Sequence, residues 1–350
     1  MSLAEFYLQN FRCIESAELS LHAGCTLIWG GNGAGKTSLL EALFLLGRGR
    51  SFRTRYSEHL IRRGTERLMV FGRSHTGLNY AGVEFDRHRG SQAKVNGTSL
   101  DSLAKLTLTF PVQIIDPDIH KLVEESGKRR RRWLDWAVFH VEPRFGDWWM
   151  RYGRALRQRN AALKAHADAR PWEVELVDLG ERISEARRTV FDALLPHWRR
   201  IITAVNCPEG DLHYAKGWAS HLSFREALDA SRKRDELHCI THPGPHRADL
   251  LIHVKERPAR DVLSRGQQKL MAAALALAQL RLLRDTLGML PALLLDDPAA
   301  ELDAEHLAAV VREISELGCQ LIATSLEPEI PGFLNPDRVF HVEQGRVSPV

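Results

Sequence analysis

No stretch of eighteen or more apolar residues occurs in this 350-residue chain, so no segment is expected to cross a bilayer as a helix. The amino terminus, MSLAEFYLQNF, has acidic and polar residues where a secretion signal needs a basic start and an apolar middle. A cytoplasmic location is the expectation. Cysteine is scarce: Cys13, Cys25, Cys207, Cys239 and Cys319 are scattered, and none forms a C-x-x-C pair. That pattern argues against a zinc site and a disulfide framework, and leaves reduced, mostly buried thiols. Internal repeats and low-complexity tracts are also missing, which excludes a solenoid. A large excess of one charge is absent too, since 48 basic residues stand against 44 acidic ones. The charge is clustered instead. Arg48, Arg50, Arg53, Arg55, Arg62 and Arg63 face a single nearby acid, Glu58, and residues 128–132 are five cations in a row. Clusters of this kind suit phosphate backbones, with a solvated face as the plain alternative.

What is present reads as an α/β protein. The hydrophobic fraction of 44% is ordinary for a globular core. Residues 3–9 and 26–29 read as strands around a turn at Ala23-Gly24, followed by a glycine-rich loop and a helix with Leu39, Leu40, Leu43 and Leu46 on one stripe. Residues 67–100 alternate and carry Asn96-Gly97, so hairpins are expected, and 106–115 reads as one more strand. From 119 to 236 helical patterns dominate, with a break near Arg170-Pro171. Strand 249–254, helix 263–284, strand 291–295, helix 303–316, strand 319–324 and a terminal β pair follow. Both termini therefore build one α/β lobe with an antiparallel β part, residues 1–118 and 240–350, and 119–239 forms an inserted helical lobe.

Two motifs carry chemistry. Gly30, Gly31, Asn32, Gly33, Ala34, Gly35, Lys36 and Thr37 fit G-x-x-x-x-G-K-[ST] between an apolar strand and a helix. Glycines let backbone N–H groups approach phosphate oxygens, and the helix N-terminus adds partial positive charge. Lys36 is expected to bridge the β- and γ-phosphates of ATP, and the Thr37 hydroxyl to ligate Mg²⁺. The second motif, LLLDDPAAELD at 293–303, ends an apolar strand in acids at the edge where α/β ligands bind. Asp296 fits the Mg²⁺-associated acid of a P-loop enzyme, and Asp297 is placed to polarise an attacking water. A third stretch, LSRGQQK at 263–269, has the S-x-x-Q spacing of a helix capping box.

With the first two motifs present, LSRGQ resembles the L-S-G-G-Q signature of the ATP-binding-cassette superfamily, and Asp296 follows Gln267 by 29 positions. The resemblance implies that Ser264, Gly266 and Gln267 close over nucleotide held by a second copy, so that ATP drives a homodimer. Ser264 can cap its helix and still donate its proton to phosphate. The resemblance also places Gln113 as the glutamine that senses Mg²⁺ and γ-phosphate, and Asp303 in the loop crossing the dimer interface. Two departures stand out: Asp297 where the superfamily usually has Glu, and Ala323-Thr324-Ser325 where it has a switch histidine. Both imply slow hydrolysis, a switch and not a motor.

RRRRWLDWAVFHVEP (129–143), LRQRNAAL (156–163), THPGPHRADL (241–250), LSRGQQKL (263–270), NFRCIESAEL (10–19) and VFHVEQGRV (339–347) together resemble the bacterial recombination-repair ATPases of the RecF family along the whole chain. That family implies a cytoplasmic ABC-type ATPase that binds ATP and DNA, dimerises with ATP, hydrolyses it weakly with stimulation by DNA, and acts with RecR and RecO to load RecA at gaps and junctions. Arg50, Arg53, Arg55, Arg129 and Arg130 are the DNA-contact candidates. Cations at the start of a helix oppose its dipole, so helix stability does not explain residues 129–132; pairing with Glu124 and Glu125 is the competing account. Arg151, Arg154 and Arg157 read as a solvated face, and Trp133, Trp136, Trp148 and Trp149 as packing. His246 and Arg247 are expected at the interface or behind the signature. The alternatives are an ABC transporter subunit, for which the helical insertion is too long, and an SMC-class protein, for which it is too short.

Overall fold

The computed structural model describes residues 2–330 and 335–350. Chain contacts divide it into two compact units, one of residues 1–119, 204–206 and 272–350, the other of 120–203 and 207–271.

In the first unit, β1 (Leu3–Phe11) and β2 (Ile14–Ser20) form an antiparallel hairpin, followed by β3 (Cys25–Trp29) and α1 (Lys36–Arg48). Next come β4 (Arg67–Ser74), β5 (Tyr80–Asp86), β6 (Gly90–Val95), β7 (Thr98–Ser99), the single turn α2 (Leu106–Thr109) and β8 (Val112–Ile115). The first sheet has the order β2-β1-β4-β5-β6-β7. β4 and β5 alternate buried with more exposed residues, as a sheet with one covered face must. The leucine stripe of α1 is buried together with Phe6, Leu8, Val70 and Val83 of that sheet and with Ile28 and Ile322 of the second.

The second unit holds α3 (Lys121–Glu124), α4 (Gly127–Val141), α5 (Phe145–Lys164), most of α6 (Glu173–Ala204), β9 (Asp211–Ala215), α7 (Phe224–His238), β10 (Asp249–Val254), β11 (Arg257–Pro258), α8 (Ala259–Val262) and the first seven residues of α9 (Arg265–Leu287). Its interior contains ionic networks. Arg159 is fully buried and bonds Glu173, Asp235 and Thr241. Arg187, also fully buried, forms a two-pronged pair with Asp135.

The chain then adds β12 (Ala292–Leu295), α10 (Pro298–Glu301), α11 (Ala304–Leu317), β13 (Leu321–Ser325), β14 (Arg338–Glu343) and β15 (Arg346–Pro349) to the first unit. The second sheet runs β15-β14-β3-β13-β12-β8, parallel from β14 through β8, with β15 antiparallel. β8 and β13 are buried at every position, and β12 at all but its first, as strands covered on both faces must be.

Three expectations are corrected. Residues 106–115 are not one strand: 106–109 make a helical turn, and only 112–115 pair. Alternation in LTLT yields there to packing, which buries Leu106 completely. β2 and β9 lie where no strand was expected, since IESAELS and DLHYA carry charged residues that dilute the alternation. The return to the first unit falls at 272 and not at 240, because β10 pairs with β9 and β11 in a sheet of its own. All five cysteines are free, and burial pushes the thiols of Cys25, Cys207 and Cys319 up to about 12.

Candidate functional site

The site grows out of the carboxyl edge of the parallel sheet. Ser325 pairs with Trp29, Ala323 with both Leu27 and Leu295, and Ile115 with Leu295. Gly30 and Asp296 therefore follow, and Ser325 ends, adjacent strands within two residues of one another along the sheet edge. Gly30 N–H donates to Ser325 O at 3.2 Å, and Asp296 N–H to Ile115 O at 3.0 Å.

At Gly30 (φ +155) and Gly35 (φ +119) the loop adopts backbone that side chains disfavour. A Cβ on Gly30 would also run into the Val342 carbonyl. The loop thus needs glycine for both shape and space, and it delivers Lys36 as the first residue of α1 with no side-chain cap at Gly35. The first amides of that helix are the donors an anion would take. Lys36 is buried, its ammonium donating to Gly30 O at 2.7 Å and Gly31 O at 3.0 Å. Burial lowers its pKa, against the opposing pull of Asp297 and Asp296.

Thr37 Oγ1 lies 3.2 Å from Asp296 Oδ1. The hydroxyl of Thr324 donates to that same oxygen at 2.7 Å and accepts the Asp297 N–H at 2.9 Å. Asp297 itself sits at φ 45, ψ 58, a left-handed conformation that is sparsely populated and clusters at functional sites. Partial burial raises its carboxyl above the usual range, and Asp296 adds to this; Lys36 acts the other way. The structure thus brings together Gly30, Gly31, Lys36, Thr37, Asp296 and Asp297, and adds Thr324, which motif reading passed over. Its signal was a pair of hydroxyl residues, Thr324 and Ser325, closing an apolar strand, LIATS, but the strand neighbour needed to interpret it is not visible in sequence.

Gln113 is placed elsewhere. It lies within β8 opposite Leu293, three residues short of the level of Asp296, and is 5% exposed. Its Nε2 donates to Gln279 Oε1 at 2.8 Å, and its Oε1 accepts from Arg48 Nη2 at 2.8 Å. A carboxamide held at both ends inside the sheet does not present itself to Thr37 or Asp296. The sensor role expected of Gln113 is therefore corrected to a core one, and the residue following β8 at the edge is Asp116. Arg48 leaves the basic surface for the same reason: it is half-buried, bonds the Val112 carbonyl as well, and desolvation lowers its pKa.

Asp303 caps α11, accepting from His306 N–H at 3.0 Å and from its ring at 2.6 Å, and is exposed. The capping box of the third motif is formed. Ser264 N–H donates to Gln267 Oε1 at 3.0 Å, and Gln267 N–H to Ser264 Oγ at 3.3 Å. Ser264, Arg265, Gly266 and Gln267 are exposed, and a Cβ on Gly266 would meet open space. The Ser264 hydroxyl proton is not used by the cap.

Among the arginine candidates, Arg50, Arg53 and Arg55 are exposed. Arg53 also reaches Glu41 at 3.4 Å, a fully buried carboxylate on α1 that Arg12 grips with two bonds and Ser51 with a third. Arg129 pairs with Glu125 at 3.3 Å. Arg130 is buried, forms two 2.9 Å bonds to Asp249, and donates to the carbonyls of Leu122, Val123 and Glu125 that end α3. A guanidinium spent on those orphan carbonyls braces the fold, so the DNA-contact expectation for Arg130 is corrected. His246 is locked between Tyr152 OH, 2.7 Å from Nδ1, and the Thr241 carbonyl, and burial takes its pKa down to about 4. Arg151 pairs with Glu175, as a solvated face allows.

Comparison with known proteins bears on what this site serves. Residues 2–347 match the family described as RecF/RecN/SMC N terminal domain. The DNA replication and repair protein RecF of Shewanella loihica is 37% identical over 360 aligned positions, covering all of both chains. The protein of the same description from Shewanella pealeana is 35% identical, again over both full lengths. A solved structure of the recombination mediator protein RecF-ATP in the RecFOR pathway is 25% identical, covers 99% of this chain and 97% of its own, and superposes with a TM-score of 0.89. An Smc head domain from Pyrococcus furiosus, 17% identical with a TM-score of 0.58 and covering 99% of this chain and 95% of its own, shares the fold.

Proposed function

The chain belongs to the RecF/RecN/SMC N-terminal domain family, in its RecF branch, and from that premise we propose that it is an ATP-dependent DNA-binding protein of recombinational repair and replication. The observation that carries the proposal is the convergence of Lys36, Thr37, Asp296 and Asp297 at one sheet edge, beside a glycine cradle that a Cβ would fill. That donor set fits ATP: loop amides and Lys36 for the phosphates. Hydroxyl and carboxylate oxygens of Thr37 and Asp296 fit Mg²⁺, which when bound offsets phosphate charge.

Asp297 takes the proton of the attacking water, for which its raised pKa suits it. As an aspartate it is a short base, consistent with slow, DNA-stimulated turnover. The exposed signature at 263–267 of one copy completes the site of a second, so that ATP closes a homodimer. The dimer presents Arg50, Arg53 and Arg55 to DNA at gaps and junctions, and helps RecO and RecR load RecA in the cytoplasm. The end-to-end match with RecF proteins speaks against a transporter subunit.

Sedimentation with ATP and duplex DNA tests this reading on wild type and Ser264→Arg. The wild type is expected to dimerise with ATP and the variant to stay monomeric. A variant that dimerises like wild type would sink the shared-site proposal.

A further inference from the structure

Thr324, next to last in β13, has no exposed surface, and its one hydroxyl serves both acids of the site. The Asp297 N–H can only donate, so the hydroxyl oxygen accepts there at 2.9 Å. Its single proton is thereby committed to Asp296 Oδ1 at 2.7 Å. Thr37 Oγ1 approaches that oxygen as well, at 3.2 Å. The direction of every bond is fixed without choosing a tautomer or a rotamer.

Two consequences follow from the geometry. Asp296 is held by one hydroxyl from the P-loop helix and another from the neighbouring strand, so its carboxylate plane is set from two elements. Asp297 has its backbone tied at the residue where the chain turns left-handed, and that turn decides where its side chain points. We infer that Thr324 is a positioning residue of the nucleotide site, fixing the metal-bearing acid and the water-facing acid relative to each other through one hydroxyl. This rests on the nucleotide reading given above. The hydroxyl joins the two residues that follow β12 to β13.

The test uses the full chain with Thr324→Val, which keeps the branched shape and removes both bonds, and Thr324→Ser, which keeps the hydroxyl. Binding of a fluorescent ADP analogue is titrated with Mg²⁺, and kcat and KM for ATP are measured alongside. Without Mg²⁺, Thr324→Val is expected to bind the analogue like wild type. With Mg²⁺ it should need about tenfold more metal for half-maximal effect and lose about tenfold to a hundredfold in kcat, the range for hydrogen bonds to charged groups. KM should change little, and Thr324→Ser should stay within about threefold of wild type in both. Thr324→Ala replaces the valine variant should that fail to fold. The inference is overturned if valine or alanine leaves the Mg²⁺ requirement and kcat unchanged, or if serine is as impaired as valine. A wild type that binds no nucleotide would overturn the nucleotide reading together with it; wild-type binding with an unaffected valine variant overturns this inference alone.

Discussion

Replacing Gln113 by leucine separates two accounts of a residue that motif position assigns to catalysis. In the structure its carboxamide joins Arg48 to Gln279 in the interior. Leucine has similar volume, so little cavity is made and the cost is electrostatic. It strips a partner from the Arg48 guanidinium, a loss in the range of about 1.5–3 kcal/mol for a hydrogen bond to a charged group. It also leaves the Gln279 carbonyl oxygen without its amide, about 1–3 kcal/mol for a buried neutral group. The sum is about 2.5–6 kcal/mol, with relaxation trimming the upper end to about 5. A chain of two units need not unfold in one step, so the assay is hydrogen exchange read locally on peptides spanning β8 and β12. Protection there is expected to fall by two to three orders of magnitude, about what that energy yields. ATP hydrolysis per folded molecule, measured at a temperature where the variant is folded, should stay near wild type. Unchanged protection together with abolished hydrolysis would refute the reasoning and restore Gln113 to the site.

Further outcomes follow from the same geometry. Lys36→Met should abolish ATP binding by equilibrium dialysis while circular dichroism stays native, since the bonds it gives up go to the loop's own Gly30 and Gly31 carbonyls. The Asp297 base works only when deprotonated, and its folded pKa is raised by burial; hydrolysis should therefore rise with pH through an acid limb above the ordinary carboxylate value of about 3.9, and Asp297→Asn should remove the limb with the activity. Since the protonated form is the one the fold favours, the Asp297 contribution to stability is present at low pH and lost as pH rises through the raised pKa, opposite to an ordinary ion-paired acid. Arg130→Met should destabilise by about 3 kcal/mol in denaturant, because it leaves Asp249 and the end of α3 unpaired. Glutamate at Arg50 or Arg55 should weaken DNA binding and lower the salt slope by about one per site, with stability little changed; at Arg53, which reaches buried Glu41, the substitution for the same test is glutamine.

The glycine loop and the paired acids were legible because their chemistry tolerates few residues. Close backbone approach at Gly30 admits no Cβ, and the acids must follow an apolar strand. The capping box at Ser264 was legible as well, since its two bonds span only three residues. Residues whose partners lie far along the chain were not. Gln113 finds Gln279 166 positions away, Arg130 finds Asp249 119 positions away, and Thr324 finds Asp296 28 positions away across a strand pairing. Spacing alone could not distinguish an exposed arginine run from one in which Arg130 is buried beside an exposed Arg132. The hairpin strand β2 and the sheet that draws β10 into the second unit failed for a related reason: their charged residues belong to edges, where alternation is weak.

If one nucleotide site is built from two copies of the chain, two defective variants should complement each other. Lys36→Met spoils the loop side of the site and Ser264→Arg the signature side, so each variant alone should sediment as a monomer with ATP and hydrolyse none. Mixed, they can pair the intact loop of one with the intact signature of the other. Mixing is expected to restore an ATP-dependent dimer with measurable hydrolysis. A mixture no more active or associated than its separate components would contradict it.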